Sequence, residues 1–245
     1  MDMKRKLYKS AVNPLLLKPA RPLPGEVAVI GAGITGVDIG YYLKSSLPDM
    51  KLILVDAGEE ILKRAERQFF DYVKSSIDKK KVKEEQGQKI LGNITYTTDY
   101  HQIKDADLVI ETLAEDISLK KEVFSRVEEI VGAAAIITSN TGLFPPDQIF
   151  TEMKNPARAT VTHFFAPAWR SIPVEVVSWE RLNQEVLDYL SWIFAMTGKV
   201  AIATNNAVCL MLGRIWNNWC NEAAHLLDDA TAGIIDHVAE KFVSE

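Results

Sequence analysis

The stretch "VAVIGAGITGVDIGYYLKSS", Val27 to Ser46, decides the fold. Its first four residues are all apolar, as in a short strand covered on both faces. Gly31, Gly33 and Gly36 then stand as G-x-G-x-x-G, and apolar residues at helical spacing follow. Each glycine has its own part in such a turn. The first permits the tight bend, the second lets the backbone approach a pyrophosphate, and the third lets helix and strand pack closely. The helix start offers the N–H groups of Ile34, Thr35 and Gly36, with positive potential, to phosphate oxygens. A glycine triplet alone is a weak signal, but "KLILVD" at 51–56 supplies the second strand of a βαβ unit and ends on Asp56. That carboxylate lies about twenty residues after the glycines, where it accepts a hydrogen bond from a ribose 2′-hydroxyl. It would repel a 2′-phosphate, and the next residues, Ala57 and Gly58, bring no cation to offset that. The expected cofactor is NAD rather than NADP.

Strand and helix patterns alternate outward from this unit. Residues 58–91 read as helical and charged, and the run "KKKVKEE" at 79–85 reads as a solvated face. Strands are expected at 94–99, 107–113, 134–140, 159–165, 172–179 and 199–204, with helices at 119–131 and 183–198. Repeated β-α-β order implies helices on both faces of a parallel sheet. The fold class is therefore α/β: a Rossmann-like, doubly wound, mostly parallel sheet over 26–204. One long apolar helix from 205 to 227, with Trp216 and Trp219, and another over 231–243 then begin an all-helical domain at 205–245. Two helices cannot bury faces this apolar by themselves, so self-association through them is expected. Pro14, Pro19, Pro22 and Pro24 make residues 1–25 an extended arm.

The bulk numbers exclude several function classes. A net charge of −5 argues against a nucleic-acid binder, which needs a basic face. No apolar run approaches the ~20 residues of a membrane span, and "LLL" at 15–17 is too short for a signal-peptide core. Cys209 and Cys220 are expected on one helix face about three turns apart, too far to bridge. They read as core thiols in a reducing compartment, which points to the cytoplasm. No metal site is expected.

The chemistry-bearing stretch is "HFFAPAWRSIPVE", residues 163 to 175. A dehydrogenase using NAD must remove a hydroxyl proton as hydride leaves the same carbon, and histidine suits that work near neutral pH. A carboxylate on its other nitrogen fixes the tautomer and stabilises the imidazolium. His163 and Glu175 lie near the ends of two strands joined by a short connection, so they can pair. From composition alone the alternative is equally open: a core histidine beside "FF" and a surface strand glutamate.

The chain resembles the L-3-hydroxyacyl-CoA dehydrogenase family from Val27 onward. The resemblance is carried by "VAVIGAGITG", "LVD" at 54–56, "DLVIETLAED" at 107–116, "SNT" at 139–141, and "HFF.P" running on to "VEVV". It implies fatty-acid β-oxidation chemistry: NAD-dependent oxidation of a 3-hydroxyacyl-CoA to the 3-ketoacyl-CoA, in a homodimer formed through the C-terminal helices. His163 would be the general base and Glu175 its partner. Ser139 would touch the substrate oxygen and the nicotinamide region, while Glu115, Lys120 and Asn140 would meet the cofactor. Departures are visible too. Ala166 stands where the family has asparagine, Gly142 where it has a second serine, and Gly213 where it has an asparagine that binds the substrate carbonyl. Losing such a donor costs on the order of 10²–10³ in rate unless it is replaced. Trp169 and Arg170 are candidate replacements on the substrate side, as are Asn217 and Asn218. The family also continues past the second helix. The alternatives are a dehydrogenase of free 3-hydroxy acids, which Arg170 would suit, and a dinucleotide-binding module with little activity.

Overall fold

The computed structural model describes residues 13–17 and 19–243, with the side chains of 242 and 243 left aside. Part of the expected arm, residues 1–12 and Lys18, lies outside the described residues. The chain enters the sheet at β1 (Glu26–Ile30), turns through the glycines into α1 (Ile34–Ser46) and returns as β2 (Lys51–Val55). Then follow α2 (Glu59–Asp78), α3 (Glu84–Leu91), β3 (Ile94–Thr97), β4 (Leu108–Glu111), α4 (Ile117–Ile130), β5 (Ile136–Ser139) and a short α5 (Pro146–Ile149). The rest is β6 (Ala159–Phe164), β7 (Pro173–Ser178), α6 (Gln184–Met196), β8 (Val200–Asn205), α7 (Leu210–His225) and α8 (Ala232–Val243).

Eight strands form one sheet in the order β3-β2-β1-β4-β5-β6-β7-β8. The expected doubly wound sheet is present, and one junction departs from parallel. β6 and β7 pair antiparallel, and in that register His163 stands directly opposite Glu175. The strands are apolar on both faces because helices cover both, so each strand feeds two cores. Val27, Val29, Phe164, Val174 and Val176 pack towards α1, α2 and α6. Ala28, Ile30, Val161 and Val177 pack towards α4, α5 and the start of α7. Side-chain alternation therefore puts His163 and Glu175, neighbours of Phe164 and Val174, on the second face. Caps mark the helix starts as the sequence dictates: Asp116 accepts from Ser118 and Leu119 N–H, and Asn183 from Glu185 N–H.

Three expectations are corrected. The helical stretch 58–91 is two helices, because Lys80 takes a left-handed turn (φ 55°) and α3 folds back on α2. The long helix expected from 205 starts at Leu210, after Cys209 (φ 61°) and Leu210 (φ 48°) have both adopted left-handed backbone. Two consecutive non-glycine residues there break local preference and change the chain's direction. The cysteines accordingly share no helix: Cys209 is part-buried ahead of α7, Cys220 is exposed on it, and neither is a core thiol.

α7 contributes one fully buried side chain, Leu210, at its first position. Met211, Ile215, Trp216 and Trp219 stand exposed along it, and the two indoles stack with centroids 5.0 Å apart. The described part of the N-terminal segment is anchored on α6: Tyr189 donates to the Pro22 carbonyl at 2.5 Å and Arg21 lies over the Tyr189 ring. Among the described residues no helix is long and apolar enough to cross a membrane, and no group of three or more His, Cys, Asp or Glu is placed to hold a metal ion.

Candidate active site

The glycine turn is built by contact rather than by tolerance alone. Gly31 has φ 101°, and a Cβ there would lie 2.7 Å from Thr112 Oγ1. A Cβ on Gly36 would lie 1.9 Å from the Gly31 carbonyl oxygen, so helix and strand meet at a distance only glycine permits. Gly33 is the opposite case: a Cβ there would meet nothing within 4 Å. That open ground lies at the first turn of α1, where no side chain caps the N–H groups and Ile34 is 73% exposed. The place is shaped for a phosphate. Asp56 stands at the end of β2, accepting from Ala32 N–H at 2.9 Å and Gly58 N–H at 3.0 Å, so its carboxylate braces the same turn. These residues fit a dinucleotide: the glycine turn and the start of α1 would hold its pyrophosphate, and Asp56 its ribose.

Across the cleft, His163 Nδ1 lies 2.9 Å from Glu175 Oε2. Glu175 is fully buried. Its other oxygen, Oε1, accepts from the main-chain N–H of Met211 at 2.9 Å and of Leu212 at 3.1 Å. Burial pushes the Glu175 carboxyl upward. The bonds from His163 and the two amides outweigh that and hold it below the usual carboxylate range. An ionised carboxylate on Nδ1 makes that nitrogen the donor and leaves Nε2 the lone-pair nitrogen. Among the described residues Nε2 has no hydrogen-bond partner, and it overhangs Gly142, where a Cβ would lie 2.9 Å from it. The Phe165 ring packs edge-on against the imidazole at 4.6 Å.

The expected substrate contact of the "SNT" motif moves. Ser139 is fully buried in β5, and its hydroxyl donates to Glu111 Oε2 at 2.5 Å. The position beneath His163 Nε2 is 142, which carries no side chain here. Asn140 is a brace, its oxygen accepting from Phe164 N–H at 2.8 Å. Glu115 holds the loop that carries Gly142, bonding Thr141 Oγ1 and Gly142 N–H. Lys120 is buried and bonds Glu111 Oε1 at 2.8 Å, with Glu115 a further 3.6 Å neighbour. The sequence reading missed Glu111, which is fully buried among Lys120, Ser139 and Leu113 N–H. Burial pushes its carboxyl upward against the pull of Lys120. Its signal was available: a glutamate ending the apolar run "LVIE" has no reason to be there unless it is paired.

Trp169 and Arg170 are not brought to His163. Trp169 packs against Tyr41 and Tyr72, on the α1 and α2 side of the sheet. Arg170 lines a cavity of about 290 Å³ there with Tyr41, Tyr42 and Lys199. The loop carrying both residues is pinned by two buried charges that the sequence reading also missed. Asp38 accepts from Ala168 N–H at 3.0 Å, and Lys199 donates to the carbonyls of Ala168 and Ser171. Gly213 on α7 approaches the loop under His163, where its missing Cβ would lie 3.6 Å from the Gly142 oxygen. Asn217 and Asn218 are exposed farther along the helix. The α7 groups that reach the pair are main-chain amides.

Comparison with known proteins gives this arrangement its place. Residues 26–207 match the family model described as 3-hydroxyacyl-CoA dehydrogenase, NAD binding domain. The 3-hydroxyadipyl-CoA dehydrogenase of Escherichia coli K12 is 30% identical over 206 residues, 84% of this chain and 43% of that protein. The fatty acid oxidation complex subunit alpha of Idiomarina loihiensis is 28% identical over 214 residues, 87% of this chain and 30% of that one. Among solved structures, 3-hydroxybutyryl-CoA dehydrogenase from E. coli K12 superposes with a TM-score of 0.81 at 30% identity, covering 85% of this chain and 44% of that one. The chain thus spans less than half the length of these relatives. With the glycine cradle, Asp56 and the strand order all in place, the chain belongs to the family of 3-hydroxyacyl-CoA dehydrogenase NAD-binding domains.

Proposed function

We propose that this protein oxidises a 3-hydroxyacyl-CoA to the 3-ketoacyl-CoA, with His163 as general base. The observation that carries the reading is the His163–Glu175 pair: Nδ1 is tied to a buried carboxylate at 2.9 Å and Nε2 faces the loop at Gly142 without a protein partner. NAD, which the glycine turn and Asp56 would hold, would supply the hydride acceptor for the carbinol carbon. His163 Nε2 takes the hydroxyl proton as the C=O bond forms, and Glu175 stabilises the imidazolium that results. The proton passes later to solvent. Asp56 at the ribose favours NAD over its 2′-phosphorylated counterpart.

The substrate class rests on the family and on relatives whose names are those of acyl-CoA dehydrogenases of fatty-acid oxidation. Polarisation of the substrate carbonyl falls to fewer side chains than in the resembled pattern, since 142, 166 and 213 are Gly, Ala and Gly. A homodimer through α7 and α8 is supported by their exposed Ile215, Trp216, Ile234 and Val238. A cytoplasmic setting suits two cysteines left as free thiols.

The test is NADH formation from 3-hydroxyacyl-CoA thioesters of increasing chain length. His163→Ala should lower kcat by roughly 10²–10⁴ and leave NAD affinity unchanged. Turnover by the variant equal to the parent's would sink the assignment.

A further inference from the structure

The catalytic carboxylate does a second thing that the proton-transfer chemistry does not require. The first-turn N–H groups of a helix have no partner within the helix and need one elsewhere. In α7 the residue before the helix, Cys209, makes no side-chain cap. The donors are instead met by Glu175 Oε1, which reaches both Met211 and Leu212. One buried carboxylate therefore caps a helix through one oxygen and orients a histidine through the other. The helix axis is aimed at β7 by the left-handed pair Cys209–Leu210, and the turn is fastened by Cys209 N–H on the Leu143 carbonyl at 3.0 Å. Leu210 anchors it from inside, at 1% exposure. Leu143 follows Gly142, so the same turn also holds the loop beneath the base.

We infer that the main-chain amides of Met211 and Leu212 are positioning groups for the catalytic pair, so that His163 is a competent base only while α7 is seated on Glu175. The inference rests on the functional reading above for its kinetic consequence, but not for its structural one. Unseating α7 leaves a buried oxygen without its two donors. The carboxylate is then free to turn away from Nδ1, and the imidazole loses the bond that fixes its tautomer. What covers or moves α7 thereby reaches the reacting proton through two N–H groups.

Several charged and titratable groups stand on the elements packed around Glu175. They are His163 on β6, Glu115 against the 141–142 loop, Lys199 before β8, and Cys209 and Arg214 at α7. Only His163 bonds the carboxylate. The experiment exchanges Leu212 in the full chain for its α-hydroxy acid, which replaces the N–H by an ester oxygen and keeps the side chain. Leu212→Ala, which keeps the N–H, is the control. Two quantities are read: the titration of Glu175 from its carboxyl ¹³C shift, and kcat with a 3-hydroxyacyl-CoA. The ester variant should titrate Glu175 at higher pH than the parent and lose about tenfold in kcat with NAD affinity unchanged. The alanine control should leave Glu175 where it was. A Glu175 titration identical in ester and parent overturns the inference, and so does a loss in the control as large as in the ester. If the parent turns over no 3-hydroxyacyl-CoA, the functional reading fails alone. The Glu175 titration still decides this one, an upward shift supporting it and no shift ending it.

Discussion

α6 and α7 are both apolar helices bearing tryptophan, and they are held in opposite ways. α6 lays a face on the sheet, burying Leu187, Tyr189, Leu190, Ile193 and Phe194. α7 buries Leu210 alone and otherwise hangs from the sheet by two amides on Glu175. One is secured by area, the other by a terminus. The difference shows that apolar composition does not say whether a helix belongs to the core, since Trp216 and Ile215 are as apolar as anything in α6 yet stand more than half exposed. A helix attached at its end can move without disturbing the core, and the group that attaches α7 is the one bonded to His163 Nδ1.

Four substitutions break or sharpen that contrast. The largest effect is expected from Glu175→Gln, which keeps the volume but offers an amide to both His163 and α7. Steady-state kcat should fall by roughly 10³ or more, with NAD affinity retained. A fall below tenfold would mean that α7 and the histidine do not depend on this carboxylate. Next comes Phe194→Ala in α6. Its ring is fully buried and meets Phe164 edge-on at 5.4 Å, so denaturant unfolding should show a loss of about 3–5 kcal/mol.

The third test concerns the lysine just beyond α6. Burial pushes Lys199 down to about 8, against the pull of Asp38. The folded protein sheds that proton near pH 8 while the unfolded chain keeps it to the ordinary lysine range. In between the unfolded chain binds more protons, and stability rises with pH. Thermal unfolding between pH 8 and 10 should show that rise in the parent and not in Lys199→Met. The smallest effect should come from Trp216→Ala on α7, which should change unfolding free energy by no more than about 0.5 kcal/mol in the monomeric chain. A loss like that of Phe194→Ala would show that α7 is held by its face after all.

The sequence was most legible where a single physical rule governs. The glycine turn, Asp56 and the apolar strands follow from local contacts within one βαβ unit, and they stand where periodicity and spacing put them. The pairing of His163 with Glu175 was possible from two strands and a short connection but open in composition, and the antiparallel register of β6 and β7 sets the two side by side. The surroundings of the motif serine were not legible, because Ser139 is buried against Glu111 and the chain beyond it is held by Glu115, twenty-odd residues away. The start of α7 was misplaced for the same kind of reason. Cys209 and Leu210 adopt a backbone that their side chains disfavour, held by the Cys209 bond to Leu143 and, one residue on, by Met211 on Glu175. Asp38 and Lys199 were invisible because a buried charge in a helix or at a strand start looks like any surface one until its partner is known.

The stacked indoles of Trp216 and Trp219 have a practical consequence. Of the five tryptophans in the chain, these two face solvent together, while Trp179 is buried. As solvent-facing indoles they should emit to the red, and their 5.0 Å separation should couple them in circular dichroism. Whatever comes to lie on α7, whether a second copy or a further stretch of chain, shifts that light to the blue. The molecule thus carries its own optical gauge of whether the helix seated on Glu175 is bare or covered.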